Sequence, residues 1–267
     1  MIRYPSVAGM FYPKERDILQ TDMDNLIKED DVKISAIGLI SPHAGYIYSG
    51  KCAGVGFGKI EIPDSIIILG VNHNGRGHPM AVDGNGSWNT PLGDVRIDEE
   101  LRENLVNRSK VFKIDSIPSE DEHSVEVQLP FIQFLNSSAK ILPVTIGARD
   151  REILKKGGEE IGNMIREING KVLMVASTDM SHYVRSDVAK ELDTLAIEKI
   201  KVLDSDGLFD TVRSNNISMC GVAPTYVMLT AAKVIGASKG EVVEYTNSGY
   251  TSGDFDQVVG YLSAYVN

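Results

Sequence analysis

The sequence predicts one α/β domain over residues 1–267, with a central, largely parallel or mixed sheet that carries helices on both faces. Apolar runs of strand length alternate with amphipathic runs of helix length through most of the chain. The sequence contains no linker-like segment and no repeat of solenoid period. Its 267 residues suffice to bury a large core, and the hydrophobic content of 42% is typical of a globular protein.

Three of the apolar runs are each followed closely by a histidine. These are residues 37–40 before His43, residues 65–70 before His73 and residues 172–176 before His182. In an open α/β sheet, ligands bind beyond the carboxyl ends of the strands. We therefore expect the three imidazoles to converge at one edge of the sheet, although they are far apart in sequence.

The other elements follow from hydrophobic periodicity and turn residues. Helices are predicted over 14–28, 98–108, 149–168, 186–203, 206–213 and from Pro224 to about 235, and strands over 78–83, 140–147, 241–246 and 257–266. Residues 88–94 are predicted to form an extended hairpin.

A glycine-rich stretch covers residues 49–58 and contains Gly54, Gly56 and Gly58 at alternate positions. A nucleotide-binding loop would require G-x-G-x-x-G or a terminal Gly-Lys-Ser/Thr, and neither is present. We therefore predict that these small residues let a helix pack closely on the sheet.

Residues 119–122 have the spacing of a capping box, with Ser119 as N-cap and Glu122 as its reciprocal partner. The helix that follows would carry His123 in its first turn, beside the edge of the sheet. Glu126, one turn later, is interpreted as a solvated or capping carboxylate.

The charge balance excludes one large class of partner. The chain has 27 Lys and Arg against 37 Asp and Glu, a formal charge of -10, so we expect no nucleic acid partner. No apolar segment approaches the roughly 20 residues that span a bilayer, and the first residues do not resemble a secretory signal. These features predict a cytoplasmic protein without a membrane partner, in which Cys52 and Cys220 do not form a disulfide.

His43, His73 and Cys220 form a chemically coherent set of metal ligands. Two neutral imidazoles and one thiolate suit Zn, Fe(II) or Cu and leave at least one position open, as catalytic sites require. The alternatives are that the histidines are hydrogen-bonded structural residues and that Cys220 is a small buried residue. The spacing of the three residues does not decide between these interpretations.

Asp179 and His182 form a D-x-x-H pair just after a strand. A carboxylate beside an imidazole fixes its tautomer and raises its basicity, which suits a general base. The alternative is that Asp179 caps a turn and His182 is only half buried. His123, next to Asp121 and Glu122, is a candidate acid or substrate-polarising group, or part of a solvated helix start.

The sequence resembles the Memo family, whose eukaryotic members are known as mediators of receptor-driven cell motility. The resemblance lies in five ordered motifs: Ser-Pro-His43-Ala-Gly-Tyr, Leu-Gly-Val-Asn-His73, Asp121-Glu-His123-Ser-Val-Glu, Ser-Thr-Asp179-Met-Ser-His182 and Met-Cys220-Gly-Val-Ala-Pro. It extends over nearly the whole chain. Memo proteins are similar in fold to the extradiol ring-cleavage dioxygenases that use non-haem Fe(II), which implies an extradiol dioxygenase-like α/β domain with a metal crevice.

Carried over by position, the resemblance assigns roles to individual residues. It implies that His43, His73 and Cys220 bind the metal, and that His123, Asp179 and His182 surround the open face. His182 matches the acid/base of the dioxygenases. Two further positions, Tyr48 and Phe11, match aromatic residues that line the pocket and contact substrate.

Cys220 departs from the dioxygenases, which use two histidines and a carboxylate. Three functions therefore remain open: a redox enzyme with Fe(II) or Cu that acts on a small molecule, a Zn-dependent hydrolase, and a non-catalytic adaptor whose crevice binds a peptide. The resemblance also implies a radical-SAM protein as a pathway partner. The substrate, the metal and the oligomeric state do not follow from the sequence.

Overall fold

The computed structural model describes residues 1–168 and 170–267. Its strands are β1 (Ile2–Arg3), β2 (Gly38–Ser41), β3 (Ser65–Val71), β4 (Met80–Val82), β5 (Ser87–Thr90), β6 (Gly93–Arg96), β7 (Lys113–Ile114), β8 (Lys140–Ile146), β9 (Val172–Ser177), β10 (His182–Val184), β11 (Gly240–Asn247) and β12 (Val258–Val266). Most of these strands were predicted from the sequence to within two residues at each end.

Helices cover both faces of the sheet formed by most of these strands. They are α1 (Arg16–Leu26), α2 (Tyr46–Lys59), α3 (Glu99–Arg108), α4 (His123–Glu126), α5 (Leu129–Leu135), α6 (Arg151–Glu167), α7 (Ser186–Lys201), α8 (Ser205–Ser214), α9 (Val222–Ile235) and α10 (Gly249–Ser252). Across the described residues, none of them combines the length and the apolar character that a bilayer crossing requires.

The large sheet has the strand order β10-β12-β2-β9-β3-β8-β4-β7, and β11 pairs with β12 outside this path. The strands β2, β9, β3 and β8 are parallel neighbours, whereas β12 runs antiparallel to β2, β10 and β11. A small second sheet has the order β1-β5-β6. The predicted α/β class, with a largely parallel and mixed central sheet, is confirmed.

Alternate side chains of the central strands enter two separate cores, as the period of two in a strand requires. In β2, Leu39 packs with α1, α2 and α5, whereas Ile40 packs on the other face with α6 and α9. In β9, Val175 and Ala176 divide in the same way. Burial on both faces explains why these strands are continuous apolar runs in the sequence.

The glycines of α2 serve close packing, as predicted. A Cβ at Gly54 would overlap the backbone oxygen of Leu26 at the end of α1, and a Cβ at Gly56 would overlap the hydroxyl of Ser263 on β12. Larger residues at these positions would force α2 away from both neighbours.

The predicted capping box is wrong. Residues 117–119 form a turn of 3-10 helix, and Ser119 donates its hydroxyl hydrogen to Asp83 rather than capping α4. Helix α4 begins at His123, and its N-cap is Glu122, which accepts a hydrogen bond from Ser124 N at 2.9 Å. His123 nevertheless lies in the first turn, as expected.

Candidate metal centre

Three histidines meet at the carboxyl edge of the central parallel strands. His43 follows β2 and His73 follows β3, and these strands flank β9 on its two sides. Helix α4 contributes His123. One ring nitrogen from each of the three lies within 4.8 Å of those from the other two. The predicted convergence therefore holds for His43 and His73, and the third member of this cluster is His123.

The tautomer of His43 follows from the hydrogen bonds of Ser177. The Ser177 hydroxyl donates to Ser124 O at 2.7 Å and accepts from Gln128 Nε2 at 2.9 Å. Because a hydroxyl has one hydrogen, its 2.9 Å contact with His43 Nδ1 requires that Nδ1 donates. Nε2 of His43 therefore carries the lone pair. The His43 side chain is buried, which lowers its pKa and keeps the ring neutral.

Glu122 orients His73. The Glu122 side chain is fully buried, and its Oε1 lies 2.9 Å from His73 Nδ1 while Oε2 accepts from the backbone N–H of His73 at 2.9 Å. Burial opposes ionisation of Glu122, but the hydrogen bonds from His73 and Ser124 outweigh it and lower the pKa of the carboxyl. An ionised carboxylate only accepts, so His73 Nδ1 donates and its Nε2 faces away from Glu122.

His123 lies between His73 and an aromatic wall. Its ring stacks on His73 with a centroid separation of 4.8 Å and an interplanar angle of 13°, and Phe11 lies 4.8 Å from it. Burial lowers the pKa of His123, although the charge of Glu122 opposes this shift. The sequence placed His123 on the open face around a metal, whereas its ring nitrogen here belongs to the cluster itself.

Cys220 lies at the margin of the cluster. Its Sγ is 3.2 Å from His43 Nε2 and accepts a hydrogen bond from the backbone N–H of Asp179 at 3.2 Å. Burial, followed by the neighbouring Asp179 carboxyl, raises the pKa of the thiol. The predicted ligand set and the histidine cluster thus share His43 and His73, with Cys220 in contact with the first of these.

Asp179 supports the backbone of His43. Its Oδ1 accepts from His43 N at 2.8 Å, and burial raises the pKa of the carboxyl to about 7. In the described part of the chain, no hydrogen bond joins Asp179 to the ring of His182. Asp179 therefore holds the backbone that follows β2, which is neither the predicted pairing with His182 nor the alternative cap of the turn after its own strand.

His182 begins β10 and is half buried. Its backbone N–H donates to Ser218 Oγ at 2.7 Å, and burial lowers the pKa of its ring. The segment from Asp179 to His182 lies against the segment from Ser218 to Cys220, through the hydrogen bonds of Asp179 N to Cys220 Sγ and of His182 N to Ser218 Oγ. The imidazole of His182 therefore borders the cluster without belonging to it.

The two predicted aromatic residues have different surroundings. Phe11 packs on His123 and also lines a cavity of about 630 Å³ with Tyr12 and Tyr46. Tyr48, on the first turn of α2, is 43% exposed and lines a second cavity of about 400 Å³ with Tyr250. Phe11 therefore forms part of the wall of the histidine cluster, whereas Tyr48 lies on a neighbouring surface.

The sequence profile of the family described as Memo-like protein matches residues 3–265. This chain belongs to the Memo family. A MEMO1 family protein of Aquifex aeolicus (strain VF5) is 43% identical over 98% of this chain and 97% of its own length. A second, from Methanosarcina barkeri (strain Fusaro), is 38% identical over 99% of this chain and 100% of its own length.

The Memo-family chain is also similar to a solved structure with little sequence identity. The crystal structure of an uncharacterized protein from Escherichia coli K12 superposes with a TM-score of 0.50, covering 84% of this chain and 98% of that one. Because the identity is only 10%, this similarity concerns the fold alone.

Glu126 of the Memo-family chain was interpreted from its sequence as solvated or capping, and that interpretation is wrong. Its side chain is fully buried and forms an ion pair with Arg3. Oε1 accepts from Val7 N at 3.0 Å and from Tyr12 Oη at 2.7 Å, and Oε2 accepts from both N and Oγ of Ser6 at 2.9 Å. The carboxylate thereby holds the N-terminal segment that carries Phe11 beside the cluster.

Sequence reasoning also missed the residues that orient the cluster, namely Glu122, Ser177 and Gln128. Ser177 is the last residue of β9, the strand between those that lead to His43 and His73. A polar residue at that end of a buried strand was the available signal. For Glu122, the sequence indicated a role in capping a helix and gave no sign of its hydrogen bonds to His73.

Proposed function

We propose that this Memo-family protein binds a divalent transition metal at His43, His73 and His123, and uses it as an oxidoreductase that acts on a small molecule. The observation that carries the proposal is the approach of the three ring nitrogens to within 4.8 Å of one another. Cys220 is the candidate fourth ligand, since its sulfur touches His43.

The chemistry of the donor set fits such an ion. Neutral imidazoles are the commonest ligands of Zn, Fe(II) and Cu, and a thiolate adds affinity for Zn and Cu. In metalloproteins, ligating histidines usually donate their other ring N–H to a carboxylate or another polar oxygen. His73 does so to Glu122, and His43 does so to Ser177.

The metal would supply Lewis-acid chemistry and, if it is iron or copper, electron transfer. His182 holds or moves a proton at the edge of the cluster, because its lowered pKa keeps the ring neutral and able to accept a proton. Phe11 excludes water from the side of His123. The dioxygenase-like fold of the family favours an oxidoreductase, although Cys220 replaces the expected carboxylate.

The proposal also covers the cellular location and the partner of the protein. Cys52 and Cys220 are both unpaired, which suits the reducing cytoplasm. We expect a radical-SAM protein as a pathway partner, on the basis of the family alone.

The first test is the metal content of protein purified anaerobically without chelator. We expect about one metal per chain in the wild type, and loss of it in His43→Ala and His123→Ala. His78→Ala is the matched control, because His78 lies outside the histidine cluster and its ring hydrogen-bonds the backbone of Met80. Cys220→Ala separates the two ligand sets: loss of metal would make the thiolate a ligand, whereas full retention would leave the metal to the three histidines.

The identity of the metal decides the class of reaction. Iron or copper would be followed by oxygen-uptake assays with candidate small molecules. Zinc, together with activity that iron cannot support, would instead favour the hydrolase. Wild-type protein that binds none of the three metals after anaerobic reconstitution would contradict both enzymatic functions.

A peptide-binding adaptor is the second candidate, and one observation favours it. Exposed apolar side chains line the two cavities on either side of the first turn of α2, namely Met10, Ile47, Tyr48 and Tyr250, which are 73%, 75%, 43% and 74% exposed. Selection from a random peptide library tests it. Binding that is lost in Tyr48→Ala and Tyr250→Ala but kept in His182→Ala would support the adaptor.

A further inference from the structure

His182 differs from His43 and His73 in how its ring is held. Those two rings are fixed by hydrogen bonds at Nδ1, to Ser177 and Glu122. The Nδ1 of His182 is buried, yet in the described parts of the chain no protein group hydrogen-bonds it. No side-chain hydrogen bond at Nδ1 therefore fixes this imidazole among the described residues, and the backbone on either side of it sets where the side chain begins.

The backbone before His182 is attached to a buried carboxylate. Asp193, on α7, is fully buried, and its Oδ1 accepts from Ser181 N at 3.0 Å and from Ser181 Oγ at 2.6 Å. Its Oδ2 accepts from Tyr245 Oη on β11 at 2.7 Å. Within residues 1–168 and 170–267, no lysine or arginine forms an ion pair with Asp193. Neutral donors alone thus hold this group.

Strand β12 completes the attachment at Gly260. Met180 N donates to Gly260 O, and Gly260 N donates to Ser181 O, each at 2.8 Å. A Cβ at residue 260 would overlap Asp193 Oδ2, so only glycine leaves room for the carboxylate. Residues 180 and 181 are therefore held between α7 and β12.

The backbone after His182 is strained. Tyr183 has a φ of 56°, and the pairing of β10 with β12 shifts register between His182 and Val184. An aromatic residue in this region is unfavourable, and such a conformation persists only where neighbouring contacts impose it. Before His182, residues 180 and 181 contact Asp193 and Gly260. The backbone N–H of His182 itself donates to the hydroxyl of Ser218.

We propose that Asp193 is a positioning residue for His182. Asp193 acts through Ser181, and it thereby sets the imidazole of His182 beside the histidine cluster. The inference rests on the proposed function, in which His182 carries a proton. The two hydrogen bonds from Ser181 to Asp193 Oδ1 fix the residue that directly precedes His182. The left-handed conformation of Tyr183 then sets the direction of the chain after it. Asp193 is not itself part of the histidine cluster.

The test is the ring spectrum of His182 in metal-free protein labelled with 13C-histidine, assigned with His182→Gln. We expect Asp193→Ala to displace or broaden the His182 ring signals by more than a linewidth, and to leave those of His78 unchanged. Asp193→Asn keeps an acceptor at Oδ1 and should restore the wild-type signals. Ser181→Ala removes the hydroxyl but keeps the N–H, so a smaller displacement in the same direction is expected.

Wild-type His182 signals in folded Asp193→Ala would overturn the proposal, as would failure of Asp193→Asn to restore them while the protein remains folded. If Asp193→Ala does not fold, Ser181→Ala decides alone, and unchanged His182 signals in that variant would overturn the proposal. Because no metal is present, the result is independent of whether the cluster binds one. Failure of the metal assay would remove the proposed function, and failure here would remove only the positioning role.

Discussion

Two buried carboxylates, Glu126 and Asp193, each hold a segment beside the histidine cluster, and they do so by different chemistry. Glu126 accepts hydrogen bonds from five donors, all of them in residues 3–12, and one of the five is the guanidinium of Arg3. Among the described residues, Asp193 accepts hydrogen bonds from Ser181 and Tyr245 alone, and both donors are neutral. Both side chains are fully buried. The difference between them is therefore the cation and not the degree of burial.

The two pKa values move in opposite directions for that reason. Burial raises the pKa of both groups, but the charge of Arg3 and the donors around Glu126 outweigh it and lower the pKa of that carboxyl. At Asp193, burial outweighs the hydrogen bonds from Ser181 and Tyr245 and raises the pKa. A buried carboxylate that is paired with a cation acts as a permanent charge, whereas one held by neutral donors tolerates protonation.

The largest expected effect is that of Glu126→Gln on stability. The side-chain amide nitrogen of the new glutamine would face hydrogen-bond donors in either orientation, namely Val7 N at the place of Oε1, or Arg3 and Ser6 at the place of Oε2. Arg3 would also be left as an unpaired buried charge. Breaking a buried pair in this way costs about 3 to 5 kcal/mol of unfolding free energy. Urea denaturation measures it, with the exposed Glu159→Gln as control. A loss below about 1 kcal/mol would remove the distinction between the two carboxylates.

A matched pair of tyrosine variants sharpens the comparison. Tyr12→Phe removes a 2.7 Å hydrogen bond to an ionised carboxylate, and should cost about 1.5 to 3 kcal/mol. Tyr245→Phe removes one of the same length to Asp193, which burial biases toward its neutral form, and should cost less, about 0.5 to 1.5 kcal/mol. Both are measured by urea denaturation beside Tyr4→Phe, which alters an exposed ring. The reverse order would contradict the assigned charges.

Asp193→Asn should cost no more than about 1.5 kcal/mol, the range of one neutral hydrogen bond. Its carbonyl oxygen can keep both bonds from Ser181, and its amide can donate to Tyr245, whose hydroxyl both donates and accepts. Thermal and urea unfolding of this variant, with Asp31→Asn at an exposed position as control, check the value. A loss as large as that of Glu126→Gln would show that Asp193 also needs its charge.

The smallest expected effect is a difference in pH dependence. Glu126 has a lowered pKa when folded, so its contribution is present above its unfolded pKa of about 4.3 and is lost as the pH falls through the folded value. Asp193 has a raised pKa, so its contribution is present below about 3.9 and is lost as the pH rises through the folded value.

Unfolding free energies measured from acid to neutral pH separate the two groups. The difference between wild type and Glu126→Gln should shrink toward acid pH, whereas the difference between wild type and Asp193→Asn should grow. Slopes of the same sign for both variants would contradict the opposite pKa shifts.

The central strands and the two histidines that follow them could be predicted from the sequence because the signals are local. A strand buried on both faces is a short apolar run, and Pro42 or Gly70 near its end marks where the chain leaves the sheet. The parallel order β2-β9-β3 then places His43 and His73 together. The glycines of α2 were predictable for the same reason, since close packing needs small residues at regular spacing.

The carboxylate networks could not be predicted because their partners are remote in sequence. Arg3 and Glu126 are 123 residues apart, and nothing near either residue indicates the other. Glu122 has the spacing of a capping residue, and only the position of His73 in three dimensions gives its carboxylate a second set of donors. The choice between His123 and Cys220 as third ligand likewise depends on where α4 packs, which local patterns do not specify.

The position of β12 inside the sheet has a consequence for biosynthesis. This strand is the last in chain order, yet it pairs with β2, β10 and β11. Until β12 has been synthesised, one edge of β2 is open, and β10 and β11 lack the strand with which they pair in the described residues. An unpaired edge is a template for aggregation, and pairing with β12 covers this edge of β2. Because Gly260 lies on β12, the loop that carries His182 takes its final position only after this strand has been synthesised.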